Sequence, residues 1–456
     1  MNAHAYDVVV VGARVAGSAL ALRLARAGAR VCLLDRATFP SPTLSTHVLH
    51  TVAPLRELGV LDRVLASGAP LLRETRFAIQ GVRMTLGRAD DPGLCPRRES
   101  LDTALLTAAG EAGADVRCGV RVLEVLRRDG AVAGVLAEGS GGRRYELTAP
   151  VVVGADGRNS TIARAMGARR YLVTAAPRPA YFGYFSGVAA PPAFIWQRPG
   201  DELVAGAPTD GGLFLTLAQP SAGVDPRLRG DDGRAFAEYV GGVSTELGEL
   251  LAGATPVGEL RRMPGYQCYF RESAGPGWAL VGDAGHFKDV TPGQGINDAL
   301  RQAERLAGAL LFGLSRPARL AGALRAYWAW RDTDAFDMYW FGTDLGVSGP
   351  LPHLVAGMLH RVARRPAARD ALHEVLAHRR RPAAVFSPPR LLAATVTAIR
   401  DGSMPARAAL AQAGALTAAE LRRRMIAARR IGALPAVPTT VSEPVAPPAS
   451  QTIPAR

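Results

Sequence analysis

Tyr6-Asp7-Val8-Val9-Val10-Val11-Gly12-Ala13-Arg14-Val15-Ala16-Gly17 is the stretch on which the reading of the fold turns. An unbroken valine run suits a strand buried on both faces, as in a parallel sheet. A glycine turn follows at once, and Ala16 to Ala27 then carries apolar residues at helical spacing up to Gly28. A second strand, Arg30 to Leu34, ends on Asp35, roughly twenty residues past the turn. This is a βαβ unit. Its turn, Gly12-Ala13-Arg14-Val15-Ala16-Gly17, is the dinucleotide fingerprint with the first and third glycines in place and Arg14 at the second. The first glycine makes the tight turn, the second lets backbone approach a pyrophosphate, and the third lets helix and strand pack closely. Phosphate would rest on the amides that open the helix. Asp35, followed by Arg36, would lie at the adenosine ribose. Arg14 allows the close approach only if its side chain points away, and its guanidinium is then placed to help hold phosphate. The competing reading is a Rossmann-like fold with no nucleotide.

Working outward, Arg98 to Ala112 reads as a helix and Val151 to Val153 as another buried strand. Between about Pro177 and Tyr269 short alternating segments such as Phe182–Phe185, Phe194–Trp196 and Leu213–Leu217 predict an antiparallel sheet, joined by Arg76–Gln80 and Val82–Leu86. From Ala279 the pattern returns to strand, turn and long helix, and an arginine-rich helical stretch follows. The expected division is a discontinuous nucleotide-binding domain (1–73, 95–175 and 270–345), a substrate domain (74–94 and 176–269), a helical region (346–434) and a disordered, proline-rich tail (435–456). In the helical region Thr417 to Glu420 resembles a capping box. Leu421, Met425 and Ala428 then share a helix face opposite Arg422, Arg423, Arg429 and Arg430, and that face is expected to pack on the protein rather than on a membrane.

Composition narrows the classes. The 456 residues, 48% hydrophobic and 21% charged, suit two or three compact units of a globular protein. No apolar run approaches about 18 residues, and Asp7 and Gly12 come too soon for a signal-peptide core, so a cytoplasmic location is expected. The net charge of +14 is almost all arginine, because Lys288 is the only lysine. The arginines are scattered and form no basic stripe with interleaved aromatics, which speaks against nucleic acid. Cys32, Cys95, Cys118 and Cys268 form no CxxC pair, so neither a metal site nor a redox disulfide is expected.

Three further motifs carry chemistry. The first, Val153-Gly154-Ala155-Asp156-Gly157-Arg158-Asn159-Ser160, puts Asp-Gly at a strand end, a sharp turn that a cofactor can approach closely. The second is Trp278-Ala279-Leu280-Val281-Gly282-Asp283-Ala284-Gly285-His286, followed by Pro292-Gly293-Gln294-Gly295-Ile296-Asn297 and a long helix. The third is Arg98-Glu99-Ser100-Leu101-Asp102 at a helix start. Together with the fingerprint, these resemble the para-hydroxybenzoate hydroxylase superfamily of single-component (group A) FAD-dependent monooxygenases, with geranylgeranyl reductase-like flavoproteins as relatives.

The resemblance covers residues 6 to about 310. It implies an α/β fold: a Rossmann-type FAD-binding domain, an inserted antiparallel β-sheet substrate domain and a C-terminal helical segment. It implies that FAD is held by Gly12, Ala13, Arg14, Gly17, Asp35, Arg36, Arg98, Asp156, Gly157, Gly282, Asp283, Gly293, Gln294, Gly295, Ile296 and Asn297. Asp283 would accept hydrogen bonds from the ribityl chain, and the turn at Gly293 would aim a helix start at the flavin pyrimidine, where reduced flavin is negative. Family members place a proline three residues before the first glycine of that turn, its carbonyl facing the reacting flavin edge. Here Val290 holds that position, and Pro292 sits directly before Gly293. Pro292 and His47, in the loop Ser45-Thr46-His47, are the candidate catalytic residues; His47 is equally read as a plain hydrogen-bonding residue.

With no second fingerprint, NADPH or NADH would visit transiently to reduce the flavin, and dioxygen would then give a C4a-hydroperoxide that hydroxylates or epoxidises a hydrophobic small molecule, aromatic or polyketide-like. In such enzymes the protein supplies positioning and exclusion of water. The alternatives are reduction of isoprenoid double bonds and a non-catalytic flavin-binding protein. A halogenase is disfavoured, because the WxWxIP motif is absent and Trp328-Ala329-Trp330 continues into Arg331-Asp332. Tyr181, Tyr184, Phe185, Phe194, Trp196, Tyr266 and Tyr269 are candidate pocket walls, of which strand alternation lets at most half face one cavity. The expected partner is a small-molecule substrate, with no nucleic acid and no membrane contact, as monomer or dimer.

Overall fold

A computed structural model describes residues 5–430 other than 88, 89, 177, 222–227, 229 and 231; the proline-rich tail lies outside the described residues. Along the chain run β1 (Val8–Val11), α1 (Val15–Arg26), β2 (Val31–Asp35), β3 (Glu74–Ile79), β4 (Val82–Leu86), α2 (Arg98–Glu111), β5 (Asp115–Cys118) and β6 (Val151–Gly154). There follow β7 (Ala180–Ser186), β8 (Ala193–Arg198), β9 (Leu203–Pro208), β10 (Phe214–Gln219), β11 (Thr255–Met263) and β12 (Trp278–Leu280). The rest is helical: α3 (Gly295–Leu314), α4 (Pro317–Gly346), α5 (His353–Ala363), α6 (Pro366–Leu376), α7 (Pro388–Arg400) and α8 (Ala406–Arg430).

The valine run of β1 is buried throughout, because its alternate side chains enter two different cores. Val8 and Val10 pack with residues of α1, α2 and α3, whereas Val9 and Val11 pack with Val122, Val132 and Val135 of a three-stranded meander on the opposite face. The sheet between them has the order Ala274–Gly275, β12, β6, β1, β2, β5, parallel except for its first edge strand. The unbroken apolar run is thus explained by burial on both faces.

A seven-stranded sheet follows the order β11, β7, β10, β9, β8, β3, β4. It is antiparallel except where β3 lies parallel to β8. That parallel pair departs from the all-antiparallel expectation, and it is possible because the chain between the two strands is long enough to cross over. Tyr181 and Phe185 of β7 face helices Gly233–Val243 and Thr245–Leu251, while Phe182 faces the other way, toward α5 and α6.

Two buried arginines fasten the helical end of the chain to this sheet. Arg198 of β8 donates to the carbonyls of Leu345, Val347 and Gly349, and Arg178 donates to that of Gly346. They satisfy carbonyls that the end of α4 leaves without helical partners.

Two expectations for the last helix fail. Thr417 and Glu420 lie inside the continuous helix α8, with the Thr417 hydroxyl donating back to the Ala413 carbonyl, so no capping box forms. The face bearing Leu421, Met425 and Ala428 is exposed rather than packed. The protein-facing side is a different one, carrying Ala409, Leu416 and Ile426, with Arg423 paired to Asp344 and lying over the Trp340 ring. Among the described residues no helix is long and apolar enough to cross a membrane.

Candidate functional site

The turn after β1 has no room for side chains at its two glycines. Gly12 has φ +105, and a Cβ there would lie 2.4 Å from the Ala155 carbonyl oxygen, where β1 and β6 converge. A Cβ on Gly17 would lie 1.8 Å from the Gly12 oxygen. Arg14 resolves its own conflict by swinging sideways. Its guanidinium reaches Asp102 in α2 at 2.9 Å and the carbonyls of Ser41 and Pro42, and it lies over the Phe39 ring. Arg98 grips the same buried carboxylate from the other side. Asp102 is therefore the shared partner of both arginines. Asp35 accepts from the amides of Ala13 and Ala37, so it braces the turn, and Arg36 is exposed with no ion pair among the described residues.

At the Asp-Gly turn the Asp156 carboxylate accepts from the Ser160 hydroxyl and the Thr161 amide. It organises the start of the helix Thr161–Ala165, and Gly157 turns the chain at φ +75 with open space beside it. Burial raises its pKa. Asp283 behaves differently. Its side chain reaches solvent and makes no hydrogen bond or ion pair among the described residues, while its carbonyl accepts from the Tyr269 hydroxyl. The surrounding mass of protein raises its pKa to about 6, against the pull of Arg158 and Arg98. A carboxylate with free lone pairs is suited to hydroxyl donors.

The turn opening α3 is tied down on every side. The Gly293 amide donates to the Val290 carbonyl, with Gly293 at φ +66. His50 donates from Nε2 to the Pro292 carbonyl at 2.7 Å, and from its amide to Asn297 Oδ1. Neither the Val290 nor the Pro292 carbonyl is therefore left free, and Asn297 binds the backbone of residues 50 and 51. Gln294 turns its side chain away, donating to the carbonyls of Val375 and Leu376 and accepting from Lys288. Lys288 also pairs with Asp298 at 2.7 Å, which His378 contacts from its other side. Burial opposes the Asp298 charge, but Lys288 and His378 outweigh it and hold the carboxyl well below its usual range. Gly295 and Ile296 begin α3 directly after this turn.

His47 is buried in left-handed backbone, φ +59. Its Nε2 meets the Tyr184 hydroxyl, the two rings stack 5.8 Å apart, and Nδ1 has no partner. Burial, reinforced by Arg98, lowers its pKa to about 3. Beside it a narrow apolar cavity lies between Thr46, Val290 and Gly293 on one side and Phe194, Trp196, Ala205, Leu215 and Leu217 on the sheet. Of the candidate aromatic walls, Phe194 and Trp196 line it and Tyr184 shares their face; Tyr181 and Phe185 lie behind the sheet. Tyr266 and Tyr269 belong to a separate three-stranded sheet, where their hydroxyls meet the Val290 amide and the Asp283 carbonyl.

His50, Asp102, Lys288 and Tyr184 thus shape the site without having been singled out for these roles. Lys288 carried a signal, as the single lysine of an arginine-rich chain. His50 carried none beyond its nearness to His47. The residues present fit FAD, since the glycine turn is clear of the Arg14 side chain and Asp283 offers an exposed, unpaired carboxylate.

The FAD binding domain family matches residues 5–220. Digeranylgeranylglycerophospholipid reductase 2 of Methanothermobacter thermautotrophicus is 31% identical over 333 residues, 66% of this chain and 77% of that protein. Protein FixC of Salmonella typhi is 31% identical over 231 residues, 46% of this chain, and the match spans about half of FixC, 51%. Among solved structures, the flavin-dependent brominase Bmp2 superposes with a TM-score of 0.71 over 87% of this chain and 99% of its own, at 18% identity, a likeness of fold. The chain belongs to the para-hydroxybenzoate hydroxylase-like superfamily of FAD-dependent oxidoreductases, to which geranylgeranyl reductase-like flavoproteins are related.

Proposed function

We propose that the protein is an FAD-dependent monooxygenase, reduced by NADPH or NADH, that hydroxylates or epoxidises a hydrophobic small molecule. The observation that carries this reading is the cavity between the Gly293 turn and the sheet, whose walls are almost wholly apolar. Bound FAD would supply the redox chemistry. The Gly12 turn would take its pyrophosphate and Asp283 its ribityl hydroxyls, while Phe194, Trp196, Leu215 and Leu217 hold the substrate and exclude water. With His47 lowered to about 3 by burial, the imidazole is neutral at physiological pH, and its single N–H lies on Nδ1 or Nε2 according to the direction of the hydrogen bond with Tyr184.

The second reading, reduction of an isoprenoid double bond, is favoured by the likeness to the archaeal reductase over 77% of its length. Halogenation is less favoured despite the fold shared with Bmp2. Trp328 and Trp330 lie on α4, where Trp328 donates to the Tyr171 hydroxyl, and neither lines the cavity.

The test is anaerobic mixing of the holoprotein with NADPH and with NADH, in the presence of aromatic polyketides and of a geranylgeranyl lipid, followed by product mass after admission of air. Gain of one oxygen supports the proposal. Gain of two hydrogens selects the second reading, and failure of both nicotinamides to bleach the flavin removes the monooxygenase.

A further inference from the structure

The described residues put one long apolar stripe on the outside of the molecule, on α8. Leu410 is 61% exposed, Leu421 59% and Met425 54%. At about 100° per residue these three fall within some 60° of one another around the helix, with Gly414 and Ala428 inside that arc and Thr417 at its edge. The opposite side of α8 is the attached one. Gln412 accepts from the Leu354 amide, and Arg423 pairs with Asp344. The stripe therefore points away from the body, and α7, packed beside α8, adds exposed Leu392 and Val396.

Charge identifies what would cover it. The sequence of α8 holds six arginines against one acidic residue, Glu420, which is already paired with Arg424. Arg422 and Arg429 flank the stripe on one side and Arg424 on the other, all exposed. Two copies meeting face to face would bring these like charges together. A strip 25 residues long and roughly 10 Å wide also offers only about 400 Å² per partner, half of what a stable protein interface buries. An anionic surface meets both features at once, since arginine stems extend along apolar matter while their guanidinium groups reach phosphate.

We propose that this outward face of α8 docks the protein on an anionic phospholipid surface, with Leu410, Leu421 and Met425 entering the headgroup boundary and Arg422 and Arg429 meeting lipid phosphates. Docking of this kind lies flat on the bilayer and spans nothing. It stands independently of the reaction proposed above.

The experiment is co-sedimentation of the full-length holoprotein with vesicles of phosphatidylcholine alone and of phosphatidylcholine mixed with phosphatidylglycerol, at about 0.1 M and about 0.5 M salt. The mixed vesicles should carry the protein down at the lower salt, with about tenfold less bound at the higher salt or on phosphatidylcholine alone. The double variant Leu421→Glu/Met425→Glu and the charge variant Arg422→Glu/Arg429→Glu should each lose about tenfold in binding. Circular dichroism and flavin absorbance verify that each is folded, and Leu410→Gln/Met425→Gln serves as a milder apolar variant. Absence of binding to the mixed vesicles overturns the proposal. So does a wild-type dimer, seen by light scattering, that Leu421→Glu/Met425→Glu splits into monomers, because the stripe is then covered by a second copy.

Discussion

Arg14 reaches out of the glycine turn to the buried carboxylate of Asp102, 2.9 Å away, and so links the start of α1 to the start of α2. A residue that interrupts the fingerprint at its second glycine is thereby kept clear of the backbone. Arg14→Gly should then leave FAD affinity within about threefold by isothermal titration, while costing about 1 kcal/mol of stability, since Arg98 still holds Asp102. Asp102→Ala should cost about 3 kcal/mol, because two arginines lose their shared partner. Urea denaturation of both variants checks the order, and a large affinity gain in Arg14→Gly would show that the side chain does obstruct the pyrophosphate.

Asp283 should reveal opposite effects on binding and on stability. Its carboxyl ionises with a pKa raised to about 6, so the folded apoprotein pays for the charge as pH climbs from the usual carboxylate range through 6. Asp283→Asn should therefore leave the apoprotein as stable or more stable at pH 7.5, with no gain at pH 4. It should also weaken FAD by about tenfold or more, the loss of a hydrogen bond to a charged acceptor. Thermal melts at both pH values, with a fluorescence titration of FAD, measure the two effects.

His47 and His50 are buried neutral, with pKa values lowered to about 3 and about 4. In the unfolded chain both take up protons near pH 6.5, before the folded state does. Their contribution is thus intact above about pH 6.5 and shrinks as pH falls, by up to roughly 1.4 kcal/mol per pH unit for each histidine. Denaturation curves between pH 7 and 5 should show this slope, and His50→Gln should flatten it. An unchanged slope in the double variant His47→Gln/His50→Gln would place the acid sensitivity elsewhere.

Trp196 forms one wall of the cavity, stacks 4.5 Å from Phe77, and donates its indole N–H to the Thr291 carbonyl next to the Gly293 turn. Trp196→Phe should raise KM for a tight-fitting substrate with kcat less affected. Trp196→Ala should cost about 3–5 kcal/mol and open the cavity to bulkier substrates. A panel of substrates graded by size, compared by kcat/KM, separates fit from general damage.

Burial on two faces made β1 and β6 legible from valine alone, and Gly12 and Gly17 announced their turn because no other residue fits beside Ala155 and the Gly12 oxygen. Contacts between segments distant in sequence were less visible. Nothing near Pro292 shows that His50 captures its carbonyl, and the short motif around Gln294 points to the cofactor, while its side chain serves the C-terminal helices. Arginine misled in another way. Arg178 and Arg198 are buried caps of α4, indistinguishable in composition from the surface arginines of α8, and the Thr417 capping box was a local pattern overridden by a helix that simply continues.

Gln294 donates to the carbonyls of Val375 and Leu376, and Asp298 pairs with His378. During synthesis those partners leave the ribosome about 80 residues after the turn itself, a lag of roughly 4 to 16 seconds at ordinary elongation rates. The Gly12 half of the nucleotide cradle can close early on the nascent chain, but the half built on Gly293 waits for the last quarter of the protein. Chains released short of residue 378 would lack these ties, leaving the Gly293 turn held by His50, Asn297 and Lys288 alone.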